Sequence, residues 1–197
     1  MSKKPSKKYI GSNIFTIHDI DTDENFVALT VELDNDLTCK HSGILICIDE
    51  KLQYFHYTGI SVELTCNIPP DKFYLKKTDV VDDDIIIAFL WHCQKLAEEV
   101  SPIYGWYFDE SYYDSNGEYY LKNAKKDITT CVGFCIKVLT GFLDGRYLEL
   151  NDWTIDSIKS LSDKALDWYK EHLINISKDQ DIDINEILKS DKTKRIL

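Results

Sequence analysis

The chain has 197 residues, 44% of them apolar, enough to bury one substantial core. Its 23 basic residues are outnumbered by 34 acidic ones, and the net charge of −11 repels phosphate backbones, so no nucleic-acid partner is expected. The longest strongly apolar run, residues 85–91, is seven residues long and too short to cross a bilayer, so no transmembrane segment is expected either.

The first residues are basic (Lys3, Lys4, Lys7, Lys8) and no apolar stretch follows them. They read as a disordered arm over residues 1–9 rather than as an export signal, which points to a cytoplasmic protein unless export uses a signal-less route. No Pro/Gly/Ser-rich stretch divides residues 10–178, which read as a single catalytic-type domain. Residues 179–197, with one short amphipathic stretch at 182–188, read as a peripheral tail.

Residues 25–33 mix alternating and continuous apolar character and suit a strand with one better-covered face. Residues 43–48 form a continuous apolar run of strand length, expected in the middle of a sheet. Residues 52–58 and 61–66 read as the next strands. Four strands in succession with short links imply an antiparallel sheet, and Pro69-Pro70 is expected to end it. The three aspartates at 82–84 then open the clearest helix, residues 82–100, with Ile85, Phe89, Cys93, Leu96 and Val100 on one stripe.

Eight aromatics fall between Tyr104 and Tyr120, interrupted by the turn-forming Asp114-Ser-Asn-Gly117. The plainer expectation is that they extend the sheet; the sharper one is an aromatic wall beside a substrate cleft. A second helix is expected over 128–143, with Val132, Cys135, Leu139 and Phe142 buried, Asp127 or a threonine capping its start and Gly145 near its end. A third is expected from 155 to about 173.

The six cysteines (39, 47, 66, 93, 131, 135) need not pair in a chain of this size and are expected as reduced thiols. Cys39-Lys-His41, His92-Cys93 and Cys131-x-x-x-Cys135 bring possible metal ligands near one another. None has the paired Cys-x-x-Cys spacing of a zinc knuckle, and neither a metal nor another cofactor is expected.

Three residues carry a chemistry. A cysteine attacks a carbonyl as thiolate, and the unpaired N–H groups of a helix's first turn stabilise that anion while a nearby imidazole holds the proton. Cys131 meets the first condition if the helix starts at residues 127–130. Parity tests the histidines: a two-residue loop at Asp49-Glu50 pairs positions whose numbers sum to 99, so His56 faces Gly43 and His41 faces Thr58. Both histidines then share one face, roughly 7–8 Å apart or less on the diagonal. An odd loop would separate them.

His41-Ser-Gly-Ile-Leu-Ile, then Tyr54-Phe-His56-Tyr-Thr-Gly and Thr130-Cys131-Val-Gly-Phe134, together resemble the circularly permuted papain-like hydrolases of the NlpC superfamily and the related lecithin retinol acyltransferase group. The matching segments are residues 41–59 and 128–143, about a fifth of the chain. The resemblance implies an α+β fold in which an antiparallel sheet packs against the nucleophile-bearing helix. It also implies Cys131 as nucleophile, His41 as general base and acid, and His56 as the residue that orients His41. The expected reaction is cleavage of an amide in a peptide, an isopeptide or a cell-wall peptide through a thioester. The alternatives are a lipid acyltransferase or esterase of the same fold, and a non-catalytic module that binds a protein partner.

Overall fold

The computed structural model describes residues 14–33, 35, 39–68, 73–106, 111–114, 116–120, 127–143 and 163–177. Its central element is the hairpin of β3 (Cys39–Ile48) and β4 (Lys51–Tyr57). Asp49 and Glu50 both take positive φ (50° and 62°), the two-residue loop whose twist matches that of the flanking strands. Neither is the usual glycine, and the turn is anchored by the Asp49 N–H, which donates to Asn25 Oδ1 at 2.9 Å. The even loop holds: Gly43 faces His56 and Ile48 faces Lys51.

β2 (Phe26–Leu33) and β5 (Val62–Thr65) flank the hairpin, as the alternation predicts. The sheet does not end after β5. Pro69 and Pro70 lie outside the described residues, but β6 (Phe73–Thr78) returns to pair with β2, and the short β1 (Phe15–Thr16) pairs with β6. The result is an antiparallel sheet in the order β1-β6-β2-β3-β4-β5. β6 is hard to see in sequence because its alternation fades after Phe73 and Leu75 into two lysines. Lys77 keeps its stem on the sheet, with Nζ 4.3 Å from the centre of the Phe26 ring.

Alternation sorts the strand residues onto two faces. Val27, Ile44, Ile46, Phe55 and Tyr57 point to one, where the helices pack; Ala28, Leu45, Cys47, Tyr54, Phe73 and Leu75 point to the other. Helix α1 (Ile86–Glu99) buries Phe89, Cys93 and Leu96 of the expected stripe on the first face, with Ile86 buried in place of the exposed Ile85 and Val100 half-buried just past its end. It begins later than expected. Asp82–84 lie ahead of it, the Ile85 N–H closing a turn onto Asp82 O, and its first turn holds no acidic residue.

Helix α2 (Cys131–Phe142) also packs on β3 and β4, with Phe134 against Phe55 and Tyr57. The two residues expected to open it, Ile128 and Thr129, form β10 instead and pair in parallel with β7 (Ile103–Tyr104), as β-branched residues favour. Rather than one stripe, nearly the whole of α2 is buried from Gly133 to Leu139. The aromatic stretch does not extend the main sheet: β8 (Tyr112–Tyr113) and β9 (Tyr119–Tyr120) form a separate hairpin. β8 crosses α2 so closely that a Cβ on Gly141 would lie 1.3 Å from the Tyr113 carbonyl oxygen.

A buried ion pair ties α2 to the segment before it. Lys137, fully buried, donates to Asp127 Oδ1 at 3.1 Å and to Ile128 O at 3.2 Å, while Tyr113 Oη donates to the other Asp127 oxygen. Helix α3 (Asp163–Ser177) buries Tyr169 and Leu173. Its Tyr169 hydroxyl accepts the Trp106 N–H at 3.0 Å, and His172 Nε2 lies 3.1 Å from Tyr104 O. The onset expected at 155, Gly145, the arm at 1–9 and the tail at 179–197 lie outside the described residues. All six cysteines are unpaired, and no helix among the described residues is long and apolar enough to cross a membrane.

Candidate active site

Cys131 is the first residue of α2. Thr130 caps the helix from extended backbone, its Oγ1 accepting the Gly133 N–H at 3.1 Å. Asp127, the other cap considered, is taken up by Lys137 and Tyr113. The cap leaves the N–H groups of Cys131 and Val132 without intrahelical acceptors, and both help hold the sulfur's negative form. A third influence comes from the sheet: the N–H of Ser42, next to His41, lies near enough to the sulfur to favour its negative form.

That contact follows from the end of the β3–β4 ladder. The Gly43 N–H points towards β2, where Thr30 Oγ1 accepts it at 3.1 Å. The neighbouring amide of Ser42 therefore points to the β4 side. Pairing there stops at Gly43–His56, and the sulfur occupies the open end of the ladder.

Three donors do not outweigh burial. Burial is the largest influence on the half-buried Cys131 and raises its pKa above the ordinary thiol value, so it rests as the thiol and not as the ion pair expected from its helix position. Cys135, one turn further in, and Cys93 on α1 are more deeply buried and shifted further up. Both are packing residues.

The histidines share a face and touch. His41 Nε2 lies 2.8 Å from His56 Nδ1, a contact that diagonal strand neighbours with ring side chains can make. Tyr54 supports both: its ring stacks on His56 at 4.3 Å and meets His41 edge-on at 6.4 Å. Glu63, the cross-strand partner of His56 on β5, places Oε2 3.9 Å from His56 Nε2. Burial lowers the pKa of both rings; for His56, burial first and the neighbouring His41 second bring it down to about 4, with Glu63 and Glu32 opposing. The pair is neutral at pH 7.

Alternation places this pair on the face opposite the one α2 covers, since His41 and His56 are in phase with Leu45 and Tyr54 rather than with Ile44 and Phe55. Cys131 and the histidines thus approach the end of the β3–β4 ladder from opposite sides. The hydrogen-bond partner of the His41 ring is His56 and not the thiol.

Aromatic residues close the helix side. Tyr57 donates its hydroxyl to Pro102 O at 2.8 Å and Gly59 O at 3.1 Å, fastening the β4–β5 turn to the strand that carries Tyr104. Tyr104 stands 6.4 Å from Tyr57 ring to ring and close enough to Cys131 for a thiolate there to raise its own pKa, after the larger effect of burial. Tyr54 and Glu63 were not singled out from sequence. Glu63 had a signal: a turn at 58–61 pairs positions summing to 119, which sets residue 63 opposite His56.

Among the described residues no three His, Cys, Asp or Glu side chains gather as a metal-holding group. No protein-family model, curated protein or solved structure matches the chain.

Proposed function

We propose that the protein is a thiol hydrolase of the permuted papain-like, NlpC type, cleaving an amide of a peptide or protein through a thioester on Cys131. The observation that carries this reading is the convergence at one ladder end of a helix-opening cysteine, whose sulfur meets the Ser42 N–H, and a hydrogen-bonded His41–His56 pair. Tyr104, half-buried and near the sulfur, supplies an aromatic surface for the substrate, backed by the buried Tyr57. A lipid ester would be handled by the same three residues; the half-buried Tyr104, with its polar edge, favours a peptide.

The reaction starts from a neutral thiol and a neutral imidazole. His41 Nε2 is engaged by His56, so Nδ1 is the atom left to take the thiol proton as sulfur bonds to the substrate carbonyl carbon. Reaching it requires the His41 ring and the thiol to close on each other when substrate binds. The N–H groups of Cys131 and Val132 face the developing oxyanion. The carbon–nitrogen bond then breaks, the proton passes from His41 to the leaving amine, and a thioester remains. Water attacks the thioester, gives a proton to His41, and the acid leaves as that proton returns to sulfur.

Timed alkylation with iodoacetamide near neutral pH tests this. Cys39 and Cys66 are exposed and set the rate of an ordinary thiol. Cys131 is expected to react faster than either despite its burial and raised pKa, and to lose that advantage, together with peptide cleavage, by about 10²–10⁴-fold in His41→Ala. A Cys131 slower than Cys39 and Cys66 and indifferent to His41→Ala would favour a protein-binding module instead.

A further inference from the structure

We propose that Glu63 is a positioning residue that fixes the proton positions of both histidines, leaving His41 with a free lone pair on Nδ1. This rests on the reading of His41 as the base. The two rings form a directional pair: one nitrogen of the 2.8 Å contact must donate and the other accept. If His56 Nδ1 carried the proton, His41 Nε2 would be the acceptor and His41 Nδ1 would hold a hydrogen, useless for taking one from a thiol. The productive arrangement needs His56 protonated on Nε2.

Nε2 is the atom that faces Glu63. Oε2 of that carboxylate lies 3.9 Å away, beyond a direct hydrogen bond, so it acts through its charge, which favours an N–H over a lone pair directed at it. Strand register holds the two side chains together, His56 opposite Glu63 across β4 and β5. Ser61 Oγ donates to the other carboxylate oxygen at 2.7 Å and keeps the acid turned. A half-exposed glutamate is otherwise an ordinary strand residue.

Other charged groups around the pair do not set this direction. Glu32, opposite His41 on β2, is paired with Lys40 at 3.1 Å. Tyr54 contacts both rings through its aromatic faces and edge. The chain of consequence runs one way: the carboxylate holds the proton on His56 Nε2, the bare Nδ1 accepts from His41 Nε2, and His41 Nδ1 is left open. When the thiol proton arrives there, the positive charge on His41 remains hydrogen-bonded to His56.

Two measurements on the full chain test the assignment. Two-bond proton–nitrogen NMR correlations read which nitrogen of each histidine is protonated, independently of any reaction. The wild type is expected to hold the Nε2–H form at both His41 and His56, and Glu63→Gln, whose amide can donate or accept, to give mixed forms with unchanged melting temperature. The alkylation rate of Cys131 across pH 5–9 is expected to fall about tenfold in Glu63→Gln, well short of the loss of the base itself.

A wild-type His56 protonated on Nδ1, or tautomers untouched by Glu63→Gln, overturns the proposal. If the tautomers shift as expected while Cys131 is unreactive even in the wild type, Glu63 keeps its positioning role and the hydrolase reading fails instead.

Discussion

The two faces of the main sheet are built from the same strands and have opposite characters. On the face covered by α1 and α2, the middle of the hairpin is apolar at Ile44, Ile46, Phe55 and Tyr57, and burial drives the pKa of Cys93 and Cys135 far up. The other face is apolar under Leu45, Cys47, Phe73 and Leu75, then changes at one end into a transverse row, Glu32, His41, His56 and Glu63, contributed by four adjacent strands. Helix cover desolvates what lies beneath it, so the titratable groups there are held neutral, as His92 is, or locked in a close ion pair, as Lys137 is with Asp127. The face without these helices tolerates them at its rim, where each has a partner and some access to water.

The comparison is tested most severely on the helix side. Lys137 is fully buried and paired with Asp127, whose side chain is 16% exposed, so Lys137→Ala leaves a carboxylate without its cation. The expected loss is about 3–5 kcal/mol in chemical denaturation. Lys137→Met, which also leaves Asp127 unpaired, is expected to recover only part of it through packing.

On the histidine face, Gly43→Ala would place a Cβ 2.4 Å from the Tyr54 ring, which is itself buried and stacked on His56. Overpacking there is expected to cost about 1–3 kcal/mol. It should also disturb the His56 resonances in NMR before those of Phe134 on the helix side. Equal disturbance of both would show that the faces are mechanically coupled.

The smallest effect expected is on acid stability, and it separates the faces. His56 and His92 each have a pKa lowered to about 4, mainly by burial, against a value near 6.5 in the unfolded chain. Between those values the unfolded chain binds more protons, so stability is full above about pH 6.5 and is lost as pH falls towards 4. His92 lies on the helix side against Phe142, with Asp114 and Lys95 as the charges that act on it and both ring nitrogens buried without a hydrogen-bond partner. His92→Phe is therefore expected to leave the melting temperature near neutral pH little changed and to reduce its fall between pH 7 and 5. The part of the fall that remains includes the contribution of the histidine row. An unchanged slope would show that His92 contributes nothing to the acid sensitivity.

Local signals in the sequence were read correctly where a single short-range force governs the outcome. The apolar run of β3, the Phe89, Cys93 and Leu96 part of the α1 stripe, and the shared histidine face that follows once the Asp49-Glu50 loop has two residues are of this kind. Misreadings share another cause. β6 carries two lysines and is a strand because β1 and β2 hold it on both sides. Ile128 and Thr129 left the helix for a parallel partner 25 residues away, and the aromatic segment paired with itself. Cys131 has the helix position that favours a thiolate, but the weight of protein around it reverses the shift.

By itself, then, the sequence determined that His41 and His56 lie on one hairpin, sharing a face if its loop has two residues, and that Cys131 lies near the start of a helix, because strand alternation and helix period act over a few residues. Tertiary structure decided that α2 covers the opposite face, that its first sulfur reaches the Ser42 amide at the ladder's end, and that Glu63 stands beyond His56. Those outcomes depend on which apolar surfaces can be buried together across long separations, and no local period encodes that choice.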